Sequence, residues 1–294
     1  MLLGDFNMTF NSKVKSELCR IGVFPGCCAK AELYGALLLG QRFDPAGIRV
    51  VTRHPGFLGR LNNLLNAAFD VDAAFGDSLY IPPPLCAVIY EAYGYGDPGI
   101  ALHLNNAILE NDCCQAAFWR GAFLAGGAVT DPIKSYHLEI VTPRLPLSRE
   151  LSTLMLECGF YTKQTTRSGA QVLYFKASES IEDFLTLIGA PICAMDVMET
   201  KIEKDLRNRV NRAVNCETGN VTRTVEAYAR QRVAIERLMN SERWDTLPDE
   251  LKKTASERLA NPEESLAELA SQLGVGRSGL NHRLRKLEKM GNSI

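Results

Sequence analysis

The sequence predicts an α+β fold in three parts: two similar halves built from helices and strands, a helical linker, and an all-helical domain at the C-terminal end. The paired halves follow from a repeat, because CCAKAELYGALLLG at 27–40 returns as CCQAAFWRGAFLAG at 113–126. The last domain follows from two helical patterns that meet at Gly274. In this division the first half is 1–100, the second half 101–192, the linker 193–220 and the helical domain 221–294.

The composition is that of a globular protein with more than one domain. The chain has 294 residues, of which 46% are hydrophobic and 23% charged, and this length exceeds what one ordinary core organises. Basic and acidic residues nearly balance, at 33 against 34, so the whole molecule has almost no net field to attract nucleic acid or a membrane. Any charge that binds DNA must therefore be local.

Targeting and redox signals favour a cytoplasmic protein. The first residues include an acid, Asp5, and lack the basic start and apolar core of a signal peptide. No apolar run is long enough to span a bilayer. The nine cysteines form no CxxC or Cys/His pattern, which indicates neither a disulfide framework nor a metal site. We therefore predict reduced thiols, no metal ligand, no cofactor and no membrane partner.

Strands follow the repeated helix in both halves. The β-branched runs RVVT at 49–52 and EIVT at 139–142 are typical of strands. A second strand pair ends in LYI at 79–81 in the first half and in LYF at 173–175 in the second. The two halves therefore predict the same order of elements.

Helices separate and flank these strands. Leucines at three- and four-residue spacing predict one helix from Leu58 and its counterpart from Ser148. Each half ends in a further helix. Another helix is predicted to begin near Met8, and the residues before it are expected to form a loose leader.

The repeated helix carries small residues on one face. Residues four apart lie on the same side of a helix, so Ala36/Gly40 and Ala122/Gly126 predict two bare strips where helices can approach closely. The Cys-Cys pair that opens each copy is expected to behave as small buried apolar side chains. We therefore expect the two halves to pack through this helix pair.

The segments YGALLLGQ at 34–41 and RGAFLAGGAV at 120–129 resemble the two motifs of the LAGLIDADG homing-endonuclease fold. The resemblance implies two αββαββα halves joined through paired helices. In that motif an acid that binds the catalytic metal follows the glycine by five residues, whereas Gly40 and Gly126 stand there in this chain. Glycine has no side chain to hold a divalent ion, so we predict no catalytic residue.

Other readings of the first two parts stay open. Asp44 or Asp131 would have to serve as a displaced metal ligand if the chain were a nuclease, although each lies beyond the motif position and beside a proline. The region also suits a non-catalytic scaffold that binds a protein partner or a ligand.

The charges on the predicted strands argue against strong DNA binding by the first half. Asp70, Asp72 and Asp77 would repel phosphates, since no basic residue accompanies them. In the second half Lys163, Arg167 and Lys176 leave room for weak contact on one side.

The C-terminal part predicts a helix-turn-helix. Charged helical sequence from 193 to 220 suits a linker, a separate helix is predicted from about Val221, and Asn261-Pro262 marks a break. Ser265 and Glu268 then form a capping box, and Gly274 stops the helix that they start. Inward positions are predicted for Leu266, Leu269, Ala270 and Leu273 on this helix and for Leu280, Leu284 and Leu287 on the next.

The second helix, from about Arg277, is the predicted recognition helix. We expect double-stranded DNA to bind residues 265–290. The predicted contact residues are Arg277, Ser278, Gly279, Asn281, His282, Arg283, Arg285, Lys286 and Lys289.

Each predicted contact has a chemical reason. Arg285 suits guanine, Asn281 suits adenine, and Ser278 or His282 suits a base edge or a phosphate. Arg283, Lys286 and Lys289 suit the phosphate backbone. The alternative is a solvated charged helix in a protein-binding three-helix bundle.

Nearly the whole chain resembles the WhiA family of Gram-positive bacteria. NRVNRAVNCETGN at 208–220 and GLNHRLRKLEK at 279–289 carry this resemblance, together with the degenerate halves. It implies a non-enzymatic, sequence-specific DNA-binding regulator in the cytoplasm, associated with the nucleoid. It also implies a connection with cell division, chromosome segregation and, in sporulating relatives, sporulation.

Overall fold

The computed structural model describes residues 8–71, 78–96 and 102–294. The chain forms two compact units, which we call unit 1, up to residue 204, and unit 2, residues 205–294. The domain boundaries predicted from the sequence at 100, 192 and 220 stay predictions. The predicted leader before Met8, and Asp72 and Asp77, lie outside the described residues.

A short helix, α1, precedes the first half of unit 1. The Thr9 hydroxyl caps its first turn by accepting a hydrogen bond from the Ser12 amide. The strands of the first half pair antiparallel in the order β1-β2-β3. The elements are α1 (Phe10–Cys19), α2 (Cys27–Leu38), β1 (Arg42–Asp44), β2 (Gly47–Val51), α3 (Pro55–Phe69), β3 (Ser78–Ile81) and α4 (Pro83–Ala92).

The second half repeats this order with a complete four-stranded sheet. Its strands are antiparallel and arranged β4-β5-β7-β6. The elements are α5 (Asp112–Gly126), β4 (Gly127–Val129), β5 (Leu138–Thr142), α6 (Leu145–Glu157), β6 (Lys163–Arg167), β7 (Ala170–Phe175) and α7 (Ser178–Ile188). The predicted α+β fold with αββαββα halves is confirmed.

The helix α8 (Pro191–Met239) corrects one prediction. The sequence indicated a linker and then a separate helix from about Val221, whereas the structure has one helix through both segments. The interior Gly219 faces open space apart from the tip of Arg223, so it weakens the helix without stopping it. Among the described residues, no helix combines the length and the apolar character needed to cross a membrane.

Three shorter helices complete unit 2: α9 (Asp249–Ala260), α10 (Leu266–Gln272) and α11 (Arg277–Gly291). The break predicted at Asn261-Pro262 is confirmed, since α9 ends at Ala260. The break at Gly274 is confirmed as well, between α10 and α11.

The core of unit 1 centres on the helix pair α2 and α5. Leu33, Leu37, Phe118 and Phe123 are completely buried there, and Trp119 packs its ring edge-on against Phe184 of α7. Apolar burial of this extent is the main favourable term in folding.

The two helices cross backbone to backbone at Gly35 and Gly121. A Cβ atom on Gly35 would overlap the carbonyl oxygen of Phe118, and one on Gly121 would overlap that of Glu32. Only glycine allows this approach, which explains why glycine occurs here although it destabilises the interior of a helix.

The bare strips predicted from the sequence are right for the alanines and wrong for the terminal glycines. The amide nitrogens of Ala36 and Ala122 lie at the crossing. Gly40 instead lies past the end of α2 and faces Arg49 and Val50 of β2, while Gly126 faces the Val141 carbonyl oxygen and Leu39. The chain turns into the sheet at these positions, so neither glycine lies at the crossing itself.

A buried ion group that the sequence did not reveal joins three helices of unit 1. Glu32 of α2 accepts from Arg60 of α3 and from Nε of Arg120 of α5, the latter at 2.9 Å. Glu32 and Arg60 are 2% and 3% exposed, and Arg120 also donates to the Ile188 carbonyl oxygen. Such a group orients its members strongly, because breaking it would leave a buried charge unpaired.

The paired cysteines also depart from their prediction. All nine cysteines are free thiols, but Cys27 and Cys113 are exposed and Cys28 is half-buried, so the expected burial holds fully only for Cys114. The prediction of buried apolar behaviour is therefore wrong for the first residue of each pair.

Replacing Gly35 with alanine tests the close helix crossing. We expect Gly35→Ala to lower the free energy of unfolding of unit 1 by about 3 kcal/mol or more, because the new methyl group must push backbone away from backbone. Urea denaturation of the full chain carrying Trp244→Phe, followed by the fluorescence of buried Trp119, measures this change.

The matched control is Gly59→Ala in α3, where an added Cβ meets no atom within 4 Å. This substitution should leave stability unchanged or raise it by about 0.5–1 kcal/mol, since alanine favours helix over glycine. Equal stability of the two variants would contradict the crossing geometry.

Candidate nucleic-acid interface

Unit 2 is a helical bundle whose small core fixes the position of α11. The core combines side chains from all four helices of the unit. Its members are Ile235 and Leu238 of α8, Leu247, Leu251 and Ala255 on or before α9, Leu269 and Ala270 of α10, and Leu280, Leu284 and Leu287 of α11. Leu266 and Leu273 pack against it while partly exposed, which confirms the predicted inward faces.

The start of α10 is fixed by the predicted capping box. The Glu268 amide donates to the Ser265 hydroxyl at 3.3 Å, and the Ser265 amide donates to the Glu268 carboxylate at 2.9 Å. The hydrogen bond from the Ser265 amide lowers the pKa of Glu268 below its ordinary value. Both ends of the reciprocal cap are therefore present.

The turn between α10 and α11 depends on Gly274. Its φ of 63° lies in the left-handed region, and its amide donates to the Ser271 carbonyl oxygen at 3.1 Å. The Val275 amide donates to the Ala270 carbonyl oxygen at 3.0 Å, which completes a Schellman motif. Val275 itself packs against the core, so the turn sets the direction in which α11 leaves.

The helix α11 has one buried and one exposed face. Leu280, Leu284 and Leu287 are fully buried, and Gly291 approaches α8 so closely that a Cβ atom would overlap the Ala234 carbonyl oxygen. On the other face the predicted contact residues are exposed. These are Arg277, Ser278, Gly279, His282, Arg285, Lys286 and Lys289, and we call them the α11 outer face.

Two predicted contact residues lie at the margin of this face. Arg283 forms an ion pair with Glu250 of α9, with 2.7 Å between Nη2 and Oε2 and 24% of the Arg283 side chain exposed. Asn281 is half-buried. Arg283 thus links α11 to α9 and is less available to bind a phosphate than the other basic residues of α11.

The first turn of α11 has no side-chain cap. Its N-cap residue is Gly276, whose missing side chain leaves the first amides of the helix without that partner. Arg277 borders a groove of about 500 Å³ beside them, together with Asn220, Arg223 and Thr224 of α8. Amides at a helix start and two guanidinium groups favour an anion.

The α8 residues of this groove were missed by the sequence analysis. They lie far from α11 along the chain, so no local pattern connects them with it. The signal that was available is the four-residue spacing of Asn220 and Thr224, which puts both on one side of a helix.

A buried arginine positions the start of α10. Arg258 of α9 is 1% exposed, donates through Nε to Gln231 and through Nη1 to the Glu264 carbonyl oxygen, both at 2.9 Å, and stacks over Tyr228. Burial lowers the pKa of Arg258 from its ordinary value. No local pattern indicated this role, because a basic residue in a charged helix resembles a solvated one.

In unit 1 the positions of the missing catalytic acids are closed by neighbouring atoms. A Cβ atom on Gly126 would lie 2.8 Å from the Val141 carbonyl oxygen, and one on Gly40 would lie 3.0 Å from a Val50 methyl carbon. The two displaced acids have local partners: Asp44 pairs with Arg42 at 2.7 Å, and Asp131 accepts from the Ile133 amide at 2.9 Å.

The carboxylates near the seam do not assemble a metal site. Within 8–71, 78–96 and 102–294, the group of three or more His, Cys, Asp or Glu side chains close enough to share an ion consists of cysteines alone. The hydrogen bond from Arg42 lowers the pKa of Asp44, which keeps that carboxylate in its local pair.

The basic residues predicted for weak DNA contact in the second half are partly neutralised. Arg167 forms an ion pair with Glu139 at 2.6 Å, and Lys176 lies over the Tyr174 ring. Lys163 is exposed on β6. This sheet therefore offers little unpaired positive charge.

Comparison with known proteins identifies similar sequences over the whole chain. A model of the WhiA LAGLIDADG-like domain matches residues 115–207, and a model of the WhiA C-terminal HTH domain matches residues 210–291. A probable cell division protein WhiA of Ruminiclostridium cellulolyticum is 34% identical, covering 98% of each chain. One from Alkaliphilus metalliredigens is 32% identical, covering 97% of this chain and 98% of its own.

The fold has a similar solved structure as well. The crystal structure of full-length WhiA from Thermatoga maritima superposes with a TM-score of 0.59 at 23% identity, covering 98% of this chain and 99% of its own. This likeness supports the arrangement of elements described above.

Substitution of Gly274 tests how the turn holds α11. We expect Gly274→Ala to weaken unit 2 by about 1–2 kcal/mol, because alanine is strained in the left-handed region. Hydrogen exchange of α10 and α11 peptides in the full chain, read by mass spectrometry, should become faster.

Gly279→Ala provides the control within the same segment. Gly279 is helical and an added Cβ meets nothing within 4 Å, so exchange should slow or stay unchanged. If both variants exchange at the same rate, Gly274 does not have the structural role assigned to it.

Proposed function

Because the chain belongs to the WhiA family, we propose that it is a sequence-specific DNA-binding protein that regulates transcription and has no enzymatic activity. The observation that carries this proposal is the α11 outer face, a basic and exposed helix surface in a chain whose net charge is only −1. A helix held this way in a helix-turn-helix can enter the major groove.

Within the α11 outer face the side chains divide by chemistry. Arg285 has the geometry to donate two hydrogen bonds to guanine, and Ser278 or His282 can reach a base edge or a phosphate. Lys286 and Lys289 neutralise phosphates, which positions the protein without specifying sequence. Asn281 remains the candidate for adenine at the edge of the face.

The start of α11 extends the proposed interface toward α8. Arg277 and Arg223 border the groove at the uncapped helix start, and this arrangement suits one backbone phosphate. Arg283 is left out of the interface because Glu250 already neutralises it.

The absence of catalysis is proposed for unit 1 on the chemistry of its seam. Hydrolysis of a phosphodiester with a divalent metal needs anionic oxygen ligands, and Gly40 and Gly126 provide none. The pairing of Asp44 and Asp131 with local groups supports the same conclusion.

The relatives are named probable cell division proteins, and these names support the biological role that we propose. We place the protein in the cytoplasm at the nucleoid, where it controls genes of cell division and chromosome segregation, and of sporulation where the organism sporulates. Unit 1 then serves as a scaffold for a protein partner or a ligand.

Charge removal from α11 tests the proposed interface. Arg285→Ala should cost about 1–3 kcal/mol of binding to a duplex selected from random sequence by the full chain, if Arg285 reads a base. Lys289→Ala should reduce the slope of log affinity against log salt by about one phosphate contact on any duplex. Fluorescence anisotropy across a salt series measures both.

Arg237→Ala and Arg283→Ala are the controls. Arg237 is exposed on α8 outside the proposed interface, so removing the same charge should leave affinity and slope nearly unchanged. Arg283→Ala should weaken folding more than binding, since it breaks the pair with Glu250. Wild-type binding by Arg285→Ala and Lys289→Ala would reject the interface.

A cleavage assay tests the non-enzymatic reading separately. Supercoiled plasmid incubated with the full chain and Mg²⁺ or Mn²⁺ should stay uncut, because the seam lacks oxygen ligands for the ion. Metal-dependent nicking that disappears in Asp131→Ala would show that a displaced acid restores catalysis.

A further inference from the structure

Four cysteines converge where the two repeated helices begin. Cys27 and Cys28 open α2, while Cys113 and Cys114 lie in the first turn of α5. All four Sγ atoms lie within 4.8 Å of one another, and those of Cys27 and Cys28 are 4.0 Å apart. The two Cys-Cys pairs of the repeat, which are distant along the chain, therefore form one cluster of thiols.

The spacing of the sulfurs fits a single tetrahedral metal ion. A zinc–sulfur bond of about 2.3 Å in tetrahedral geometry places neighbouring sulfurs about 3.8 Å apart. The sulfurs of the cluster lie at most 4.8 Å apart, so small side-chain rotations would bring them to the spacing of about 3.8 Å. An iron–sulfur cubane spreads its cysteines over four separate irons and would need them farther apart.

Two helix starts and two cationic side chains lie near the cluster. The positive ends of two helix dipoles meet at the cluster, and helix starts stabilise thiolates. Lys30 and Arg120 border cavities that also touch the cysteines, with Arg120 paired to Glu32. Asp112, which directly precedes Cys113, adds one negative charge beside the cluster.

The thiols without metal have a clear order of acidity. The hydrogen bond from Cys114 lowers the pKa of Cys27, whereas burial raises the pKa of Cys28 to about 11 and that of Cys114 to about 12. Binding of a metal to all four sulfurs releases the thiol protons to water, as thiolate ligation requires.

An ion can reach the cluster from two sides. A cavity of about 260 Å³ borders Cys27 and Cys28, and another of about 240 Å³ borders Cys27 and Cys114. Cys27 and Cys113 are exposed. The sulfurs are thus accessible to solvent, although Cys114 anchors the cluster in the core.

We propose that Cys27, Cys28, Cys113 and Cys114 bind one Zn²⁺ ion as a structural tetrathiolate site that joins the N-terminal ends of α2 and α5. Four protein sulfurs fill a tetrahedral shell and leave no open position for water, which is the arrangement of structural rather than catalytic zinc. Thiolates select zinc strongly over Mg²⁺ and Ca²⁺.

The proposed site lies at the end of the seam opposite to the missing nuclease acids. Gly40 is twelve positions after Cys28, most of them in α2, and at helical rise this is about 18 Å. The ion would link the two halves of unit 1 beyond the glycine crossing. Binding free energy at such a link contributes directly to the stability of the linked fold.

The experiment uses the full chain purified under reducing conditions without chelators. We expect about one zinc per chain by inductively coupled plasma mass spectrometry, as a four-ligand site requires. Protein stripped of metal and titrated with Co²⁺ should develop visible tetrahedral d–d bands and ultraviolet sulfur-to-cobalt charge transfer. Zn²⁺ should abolish both by displacement.

Serine variants assign the ligands. Cys27→Ser, Cys113→Ser and the double variant should bind zinc at least about 100-fold more weakly, because a neutral hydroxyl replaces a thiolate. Cys216→Ser is the matched control, since Cys216 is an exposed thiol on α8 that does not belong to the cluster. Circular dichroism confirms that each variant folds.

The possible outcomes decide the proposal. Stoichiometric metal in the wild type and in Cys216→Ser, lost in the cluster variants, supports it. Metal below a tenth of an equivalent per chain at saturating zinc, roughly background for a real site, overturns it. So does a cobalt spectrum that the cluster variants leave unchanged, or a Cys27–Cys113 disulfide found by peptide mapping in place of bound metal. None of these results depends on DNA binding.

Discussion

The contact between Gly35 and Gly121 is the constraint on which unit 1 depends. Each glycine meets a carbonyl oxygen of the opposite helix with no room for a side chain, so the distance between the halves is fixed by backbone atoms. Glu32 strengthens the same crossing, because its carbonyl oxygen faces Gly121 while its carboxylate binds Arg60 and Arg120. Steric fit and a buried charge group thus hold one arrangement of the repeats.

This arrangement separates the tasks of the two units. In unit 1 the helix pair joins the halves and brings cysteine sulfurs together at one end. At its other end Gly40 and Gly126 stand where the related motif has acids. In unit 2 a small leucine core and a left-handed glycine turn hold a basic helix face toward solvent. Positive charge gathered on one helix allows a nearly neutral protein to attract phosphates locally.

The sequence predicted the features that local patterns encode. The repeat was recognisable because each copy is a short continuous segment. The capping box of Ser265 and Glu268 and the glycine stop at Gly274 each depend on residues within a few positions of one another, and both are present. Long-range contacts escaped prediction for the same reason. The pairing of Arg283 with Glu250, the burial of Arg258 and the meeting of two Cys-Cys pairs are set only when distant helices pack.

The closed surroundings of Gly40 and Gly126 have a consequence for protein engineering. Grafting two aspartates onto the seam would not be enough to convert this scaffold into a DNA-cutting enzyme. Val141 and Leu39 already occupy the space beside Gly126, and residues of β2 occupy the space beside Gly40. The neighbouring strand and the end of α2 would have to be rebuilt first. At both positions the neighbouring atoms would therefore crowd any added acidic side chain.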